Sequence, residues 1–70
     1  MSNWKSAKAR RVLAALEKIG WRVKRQKGSH KVLQRVGYAD YVLSFHDGDE
    51  IGSKMMARIG KKTGLSANDL

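Results

Sequence analysis

The apolar residues of this chain change period twice, and that change sets the kinds of element it can form. Ala9, Val12, Leu13, Leu16 and Ile19 fall at helical spacing and make one stripe, which predicts an amphipathic helix over residues 6–19 with Ser6 as its N-cap. Gly20 stands where a left-handed C′ residue ends such a helix, and Trp21 follows, placed to fold back on the last turn. From there the period is two. Trp21, Val23 and Arg25 read onto one face of a half-buried strand, and Arg22, Lys24 and Gln26 onto the other. Lys27-Gly28-Ser29 reads as a turn, 30–35 as a second strand paired with the first, 36–40 as a loop, and 41–45 as a third, β-branched and aromatic strand. The polar run 46–50 ends it. The helical period returns over 53–63, with Met56, Ile59 and Thr63 on its inner line and Met55 beside them. Gly64-Leu65 repeats the Gly-then-apolar stop, and 66–70 has room for one short turn more. The order is α-β-β-β-α, an α+β fold. Its two helical stripes are buried most simply on one face of a three-stranded antiparallel sheet.

Seventy residues leave room for one core, so residues 1–70 read as a single domain. With no cysteine there is no disulfide scaffold and no thiolate metal site. No apolar run approaches the roughly 18 residues a membrane helix needs, and the expectation is a soluble, cytoplasmic protein without a membrane partner. The charge is +9, and it is lopsided: residues 1–35 carry eleven Lys and Arg against Glu17 alone, whereas 36–70 carry four against five acids. Solubility explains net charge but not this asymmetry, which points to a polyanion partner, nucleic acid before an acidic protein or a membrane surface.

The chain has two histidines. His30 follows the glycine turn inside the basic half, with Lys24, Arg25, Lys27 and Lys31 near it in sequence. Imidazole titrates at about 6.5 and suits proton transfer at neutral pH. Beside cations and the open backbone of Gly28 and Ser29, it has what cleavage of RNA by its own 2′-hydroxyl requires. The base removes the hydroxyl proton, the oxygen attacks phosphorus, and Lys or Arg offsets the charge that develops. Ser29 offers a hydrogen bond to a non-bridging oxygen. DNA lacks the 2′-hydroxyl and cannot react this way. A lone histidine on a strand is more simply a phosphate contact, so the residues by themselves leave a non-catalytic RNA-binding module open, and also a protein-interaction domain that docks on an acidic partner. His46, among Asp47, Asp49 and Glu50, is either a second proton donor or a packing residue. These four have the right types for a cation but no recognised ligand spacing, so no metal site is assigned. Trp21 and one of Tyr41 or Phe45 read as core. Trp4 and Tyr38 read as core edge, with stacking on bases as the alternative.

Gly20-Trp21, then Arg25-Gln26-Lys27-Gly28-Ser29-His30, a β-run reaching His46, Glu50-Ile51-Gly52, and a helix closing at Lys62-Thr63-Gly64-Leu65 together resemble the HicA toxins, from the first helix to the end of the chain. The resemblance implies a fold like that of double-stranded RNA-binding domains. It also implies a type II toxin that cleaves mRNA and blocks translation without a metal or other cofactor, and an essential histidine in Gly-Ser-His, here His30 of Gly28-Ser29-His30. Its partner would be a HicB-type antitoxin that covers the active face, in a complex that regulates its own operon. The chain departs from the family's pattern at Ser44, where proline is usual, at the start of the last helix (Gly52-Ser53-Lys54-Met55), and in the acidity of Asp47-Gly48-Asp49.

Overall fold

The computed structural model describes residues 4–70. The chain runs β1 (Ala7–Lys8), α1 (Ala9–Lys18), β2 (Arg22–Lys27), β3 (His30–Gln34), β4 (Tyr41–Ser44), β5 (Glu50–Ile51), α2 (Ser53–Thr63) and a closing 3-10 turn (Ala67–Asp69). The long elements keep the α-β-β-β-α order, and β2, β3 and β4 form an antiparallel sheet with β3 in the centre. β1 and β5, two residues each, make a separate antiparallel ladder that pairs Ala7 with Ile51 and Lys8 with Glu50.

That small ladder changes how the first helix begins. Ser6 is not its cap. The N-cap position is Lys8, in extended backbone, and no side chain caps the helix. The free amides of Ala9 and Arg10 donate instead to the carbonyls of Asp49 (2.8 Å) and Asp47 (3.1 Å). The 46–50 loop thus supplies the acceptors that a serine would have supplied, and the chain ahead of α1 stays extended against β5.

The other end of α1 forms as its sequence requires. Gly20 has φ +110°, its amide donates to the Glu17 carbonyl, and the Trp21 amide donates to the Leu16 carbonyl at 3.0 Å. This is the paired bonding of a Schellman stop. It drives the Trp21 ring into the core, where the indole Nε1 donates to the Thr63 carbonyl at 2.9 Å and ties the exit of α1 to the last turn of α2. Thr63 is itself fully buried. Its hydroxyl donates to the Ile59 carbonyl (2.6 Å) and accepts from the Leu65 amide (3.3 Å).

Val12 and Leu16 of α1, Met56 and Ile59 of α2, Trp21, and Leu33 and Leu43 of the sheet make up most of the core. Burying a side chain of this size contributes about 1.5–3 kcal/mol, so seven such residues supply the main stabilising term of a small domain without disulfides. Tyr38 meets the Trp21 ring edge-on at 5.5 Å and carries the Arg35 guanidinium 4.6 Å above it. Trp4 packs on α2 at Gly60, where a Cβ would collide with its ring and stand 2.8 Å from the Leu65 carbonyl oxygen. Both aromatics therefore belong to the core edge. Among the described residues, no helix is long and apolar enough to cross a membrane.

The strict alternation read over 21–26 does not survive pairing. Val23 stands opposite Leu33, but Arg25, not Lys24, stands opposite Val32. A β-bulge adds one residue to β2 here, and one extra residue moves everything beyond it to the other face. Arg25 consequently shares no face with Val23. All six residues of β2 are exposed, because the helices cover β3 and β4 and leave this edge strand bare.

Candidate nucleic-acid interface

Residues paired across an antiparallel ladder share a face. The helix side of the sheet carries Val23, Leu33 and Tyr41 in one row and Gln26, Lys31 and Leu43 in the next. The open side carries Arg22 beside Gln34, then Arg25, Val32 and Val42, then Lys27, His30 and Ser44. Its strand residues are three cations, one imidazole, two neutral polar side chains and two valines, and not one carboxylate.

The hairpin that ends this face is set by Gly28. Its φ is +59°, while Ser29, like every other described non-glycine residue, has none positive. A positive φ at the first central position only is the mark of a type II′ turn, whose twist suits two antiparallel strands. A Cβ on Gly28 would meet nothing within 4 Å, so the turn, not crowding, calls for glycine. The turn makes Lys27 and His30 direct partners at the rim of the sheet, and side chains so placed have Cβ atoms about 4.5–5.5 Å apart.

His30 is exposed, and among the described residues its imidazole has no hydrogen-bond or ion-pair partner. Arg22, Arg25 and Lys27 likewise pair with no described carboxylate. The structure thus gathers Arg25, Lys27, Gly28, Ser29 and His30 from the residues singled out in the sequence. It sets two others apart. Lys24 occupies the bulge and pairs with Asp40 at 3.1 Å, its side chain half exposed. Lys31 follows His30 in the chain but points to the helix side. Its side chain is 9% exposed, and its Nζ donates to the Phe45 carbonyl at 3.5 Å and pairs with Asp47 at 3.6 Å. His46 lies past the end of β4, two residues beyond Ser44, exposed, with its amide donating to Asp49 Oδ2 and its carbonyl accepting from the Asp49 amide, both at 2.9 Å.

The acidic loop is occupied with structural bonds. Asp47 holds Lys31, Asp49 holds the His46 amide, and Glu50 lies 3.8 Å from Lys8. Among the described residues, no three His, Asp or Glu side chains come together as a group able to hold a metal ion. Tyr41 lies on the core side opposite Leu33, and its burial there pushes the phenol above its ordinary 10.0.

Five strand positions on the open face lie outside the site residues that the sequence marks: Arg22, Val32, Gln34, Val42 and Ser44. Ser44 stands directly opposite His30, and Val42 is half exposed in the row behind. Alternation through His30, Val32 and Gln34 was there to be read. Which residues of the third strand join them depends on register, which a five-residue loop leaves open.

An imidazole free of competing bonds among the described residues, on a surface of unneutralised cations, can lie against a phosphodiester and exchange a proton with a neighbouring hydroxyl. No curated protein and no solved structure gives a match to the chain. A family model does: that of the HicA toxin of bacterial toxin–antitoxin systems matches residues 9–65, from the first residue of α1 to the Leu65 that follows the Gly64 stop, and so takes in the whole sheet and both helices. This chain, with its Gly28-Ser29-His30 turn at the rim of a cationic sheet, belongs to the HicA toxin family.

Proposed function

We propose that the protein is the endoribonuclease toxin of its toxin–antitoxin pair, cleaving mRNA in the cytoplasm and so stopping translation, with His30 as the proton-transfer group and a HicB-type antitoxin as its protein partner. The observation that carries the reading is the state of His30: exposed, free of other bonds among the described residues, and on a sheet face whose strand charges are all positive. In the reaction, His30 removes the proton of a ribose 2′-hydroxyl. The O2′–P bond forms and the P–O5′ bond breaks, leaving a 2′,3′-cyclic phosphate and a 5′-hydroxyl, whose proton comes from water or a returning imidazolium. Arg25 and Lys27, with Arg22 behind them, offset the charge that builds on phosphorus, and the open space at Gly28 lets the backbone approach. None of these steps calls on a metal.

One observation favours a second reading, a non-catalytic RNA-binding module. Ser44, which cannot serve as an acid at neutral pH, is the cross-strand partner of His30, and His46 lies beyond the end of the ladder. A cleavage time course with a chelator present decides between the two, comparing the protein with His30→Ala. The toxin reading expects the native protein to cut, and His30→Ala to bind RNA equally well but to cut about 10²–10⁴-fold more slowly, the usual share of a general base. If both proteins bind RNA and neither cuts it, the binding module is the correct reading.

A further inference from the structure

The helix layer carries a second concentration of charge that the His30 face does not explain. On α2, Met56, Ile59, Gly60 and Thr63 face the core. At 100° per residue, Lys54, Arg58 and Lys61 fall within about 60° of one another on the opposite side, with Lys62 a further 40° round. All four are exposed, and none has a carboxylate partner among the described residues.

This is a poor pattern for a helix that merely faces water. A solvated face normally mixes signs, so that neighbours at i, i+4 attract. Here Lys54 and Arg58, and Arg58 and Lys62, are like-charged at that spacing, and each such pair costs about 0.2–0.5 kcal/mol. The first turn, where the helix dipole favours an acid, has none and holds Lys54 instead. The helix contains no acidic residue at all. Only Lys61 and Lys62, in the last turn, sit where the dipole welcomes them. The outer side of α1 contrasts with this, since Arg10, Arg11 and Lys18 share it with Glu17. A locally unfavourable charge pattern of this kind becomes favourable once a polyanion lies along it.

We infer that the outer face of α2 is a second RNA-binding surface, which holds the phosphate backbone through Lys54, Arg58, Lys61 and Lys62 on the layer opposite the His30 face. The inference rests on the reading that RNA is the ligand. Residues 54 to 62 span about 12 Å of helix axis. A nucleic-acid strand carries one charge per about 3.4 Å of axis, so three to four phosphates match four cations over that length. The molecule is thin, 32 × 27 × 16 Å across its Cα trace, so one long RNA can reach both layers around an edge.

The test is RNA binding measured over a salt series in a His30→Ala background, so that no cleavage intervenes. A single-stranded RNA of about twenty nucleotides is titrated with that protein, and with the same protein carrying Lys54→Gln, Arg58→Gln, Lys61→Gln and Lys62→Gln. Losing four phosphate contacts should flatten the slope of log K against log salt by about 3, at about 0.7 per contact for a single strand. A control removes four cations from the first half of the chain: Lys5→Gln, Arg10→Gln, Arg11→Gln and Lys18→Gln. It should flatten the slope by less than half as much. The α2 variant relieves repulsion, so its melting temperature should not fall; if it does, the single changes Lys54→Gln and Arg58→Gln replace it and should each flatten the slope by about 0.7. An unchanged slope overturns the inference, and so does an equal effect from the control, which would mean that only bulk charge matters. An unchanged RNA slope together with lost binding of an acidic protein overturns it in favour of a protein-docking face. If the His30→Ala background does not bind RNA even at low salt, the proposed function fails as well.

Discussion

Lys27 and Lys31 lie four residues apart around the same turn and differ in what they can do. Lys27 is exposed beside His30 on the open face, with no partner among the described residues. Lys31 is turned to the helix side and already bonded to Phe45 and Asp47. Sequence proximity put both with His30, because residues near a turn look equivalent until the strand's two-residue period assigns them to faces. Replacing each by Met separates them. Lys27→Met should flatten the salt dependence of RNA binding by about 0.7 and leave stability nearly unchanged. Lys31→Met should leave that slope alone and change the melting temperature through the Phe45 and Asp47 contacts it removes. Equal slopes for the two variants would mean that Lys31 leaves its internal partners to reach RNA. His30 itself was legible, since a lone imidazole after a glycine turn in a basic half is a distinctive pattern. That it has no competing bond was not, because hydrogen bonding depends on what the fold brings near.

Elements were recognised where local chemistry decides them. The Gly20-Trp21 stop formed with both of its expected bonds, and Gly28 made the two-residue turn. Elements decided by distant partners were not recognised. β1 and β5 exist because residues 7 and 8 meet 50 and 51, and the start of α1 follows from carbonyls some forty residues away. The bulge in β2 carries no glycine or other local signal, yet it moves Arg25 to the open face that carries His30. The tie between the two helices belongs to this scale too. Trp21→Phe would keep most of the buried ring but remove the donor to the Thr63 carbonyl, which then retains only the longer 3.5 Å bond from Arg35. The expected cost is about 1–3 kcal/mol, and for a domain of this size each kcal/mol lowers the melting temperature by about 4–8 °C. A variant melting within a degree of the native protein would show that the indole bond contributes little.

The whole molecule is small and strongly charged. Its radius of gyration, 11.1 Å, is that of a well-packed chain of its length, so the fifteen cations are confined to a compact body. Among the described residues, three ion pairs between side chains, two of them well exposed, offset little of this charge. Self-repulsion therefore opposes folding most at low ionic strength. Raising salt from about 20 to 200 mM, which shortens the screening length from roughly 20 Å to below 10 Å, should raise the melting temperature by several degrees. A fall over that range would show that the few surface pairs outweigh the repulsion.

The division between sequence and tertiary structure follows from the range of the forces involved. Apolar period, glycine stops and charge asymmetry are local or additive, and from them the amino acids alone determined the element order and an α+β sheet-and-helix architecture, and pointed toward a polyanion and toward His30. Which face each side chain takes, which cations are free and which are spent on Asp40 or Asp47, and that Ser44 stands opposite His30 were decided only by tertiary pairing. One bulged residue or one step of register moves a whole strand's side chains through the sheet, and no local propensity resists that shift. Packing against the helices does.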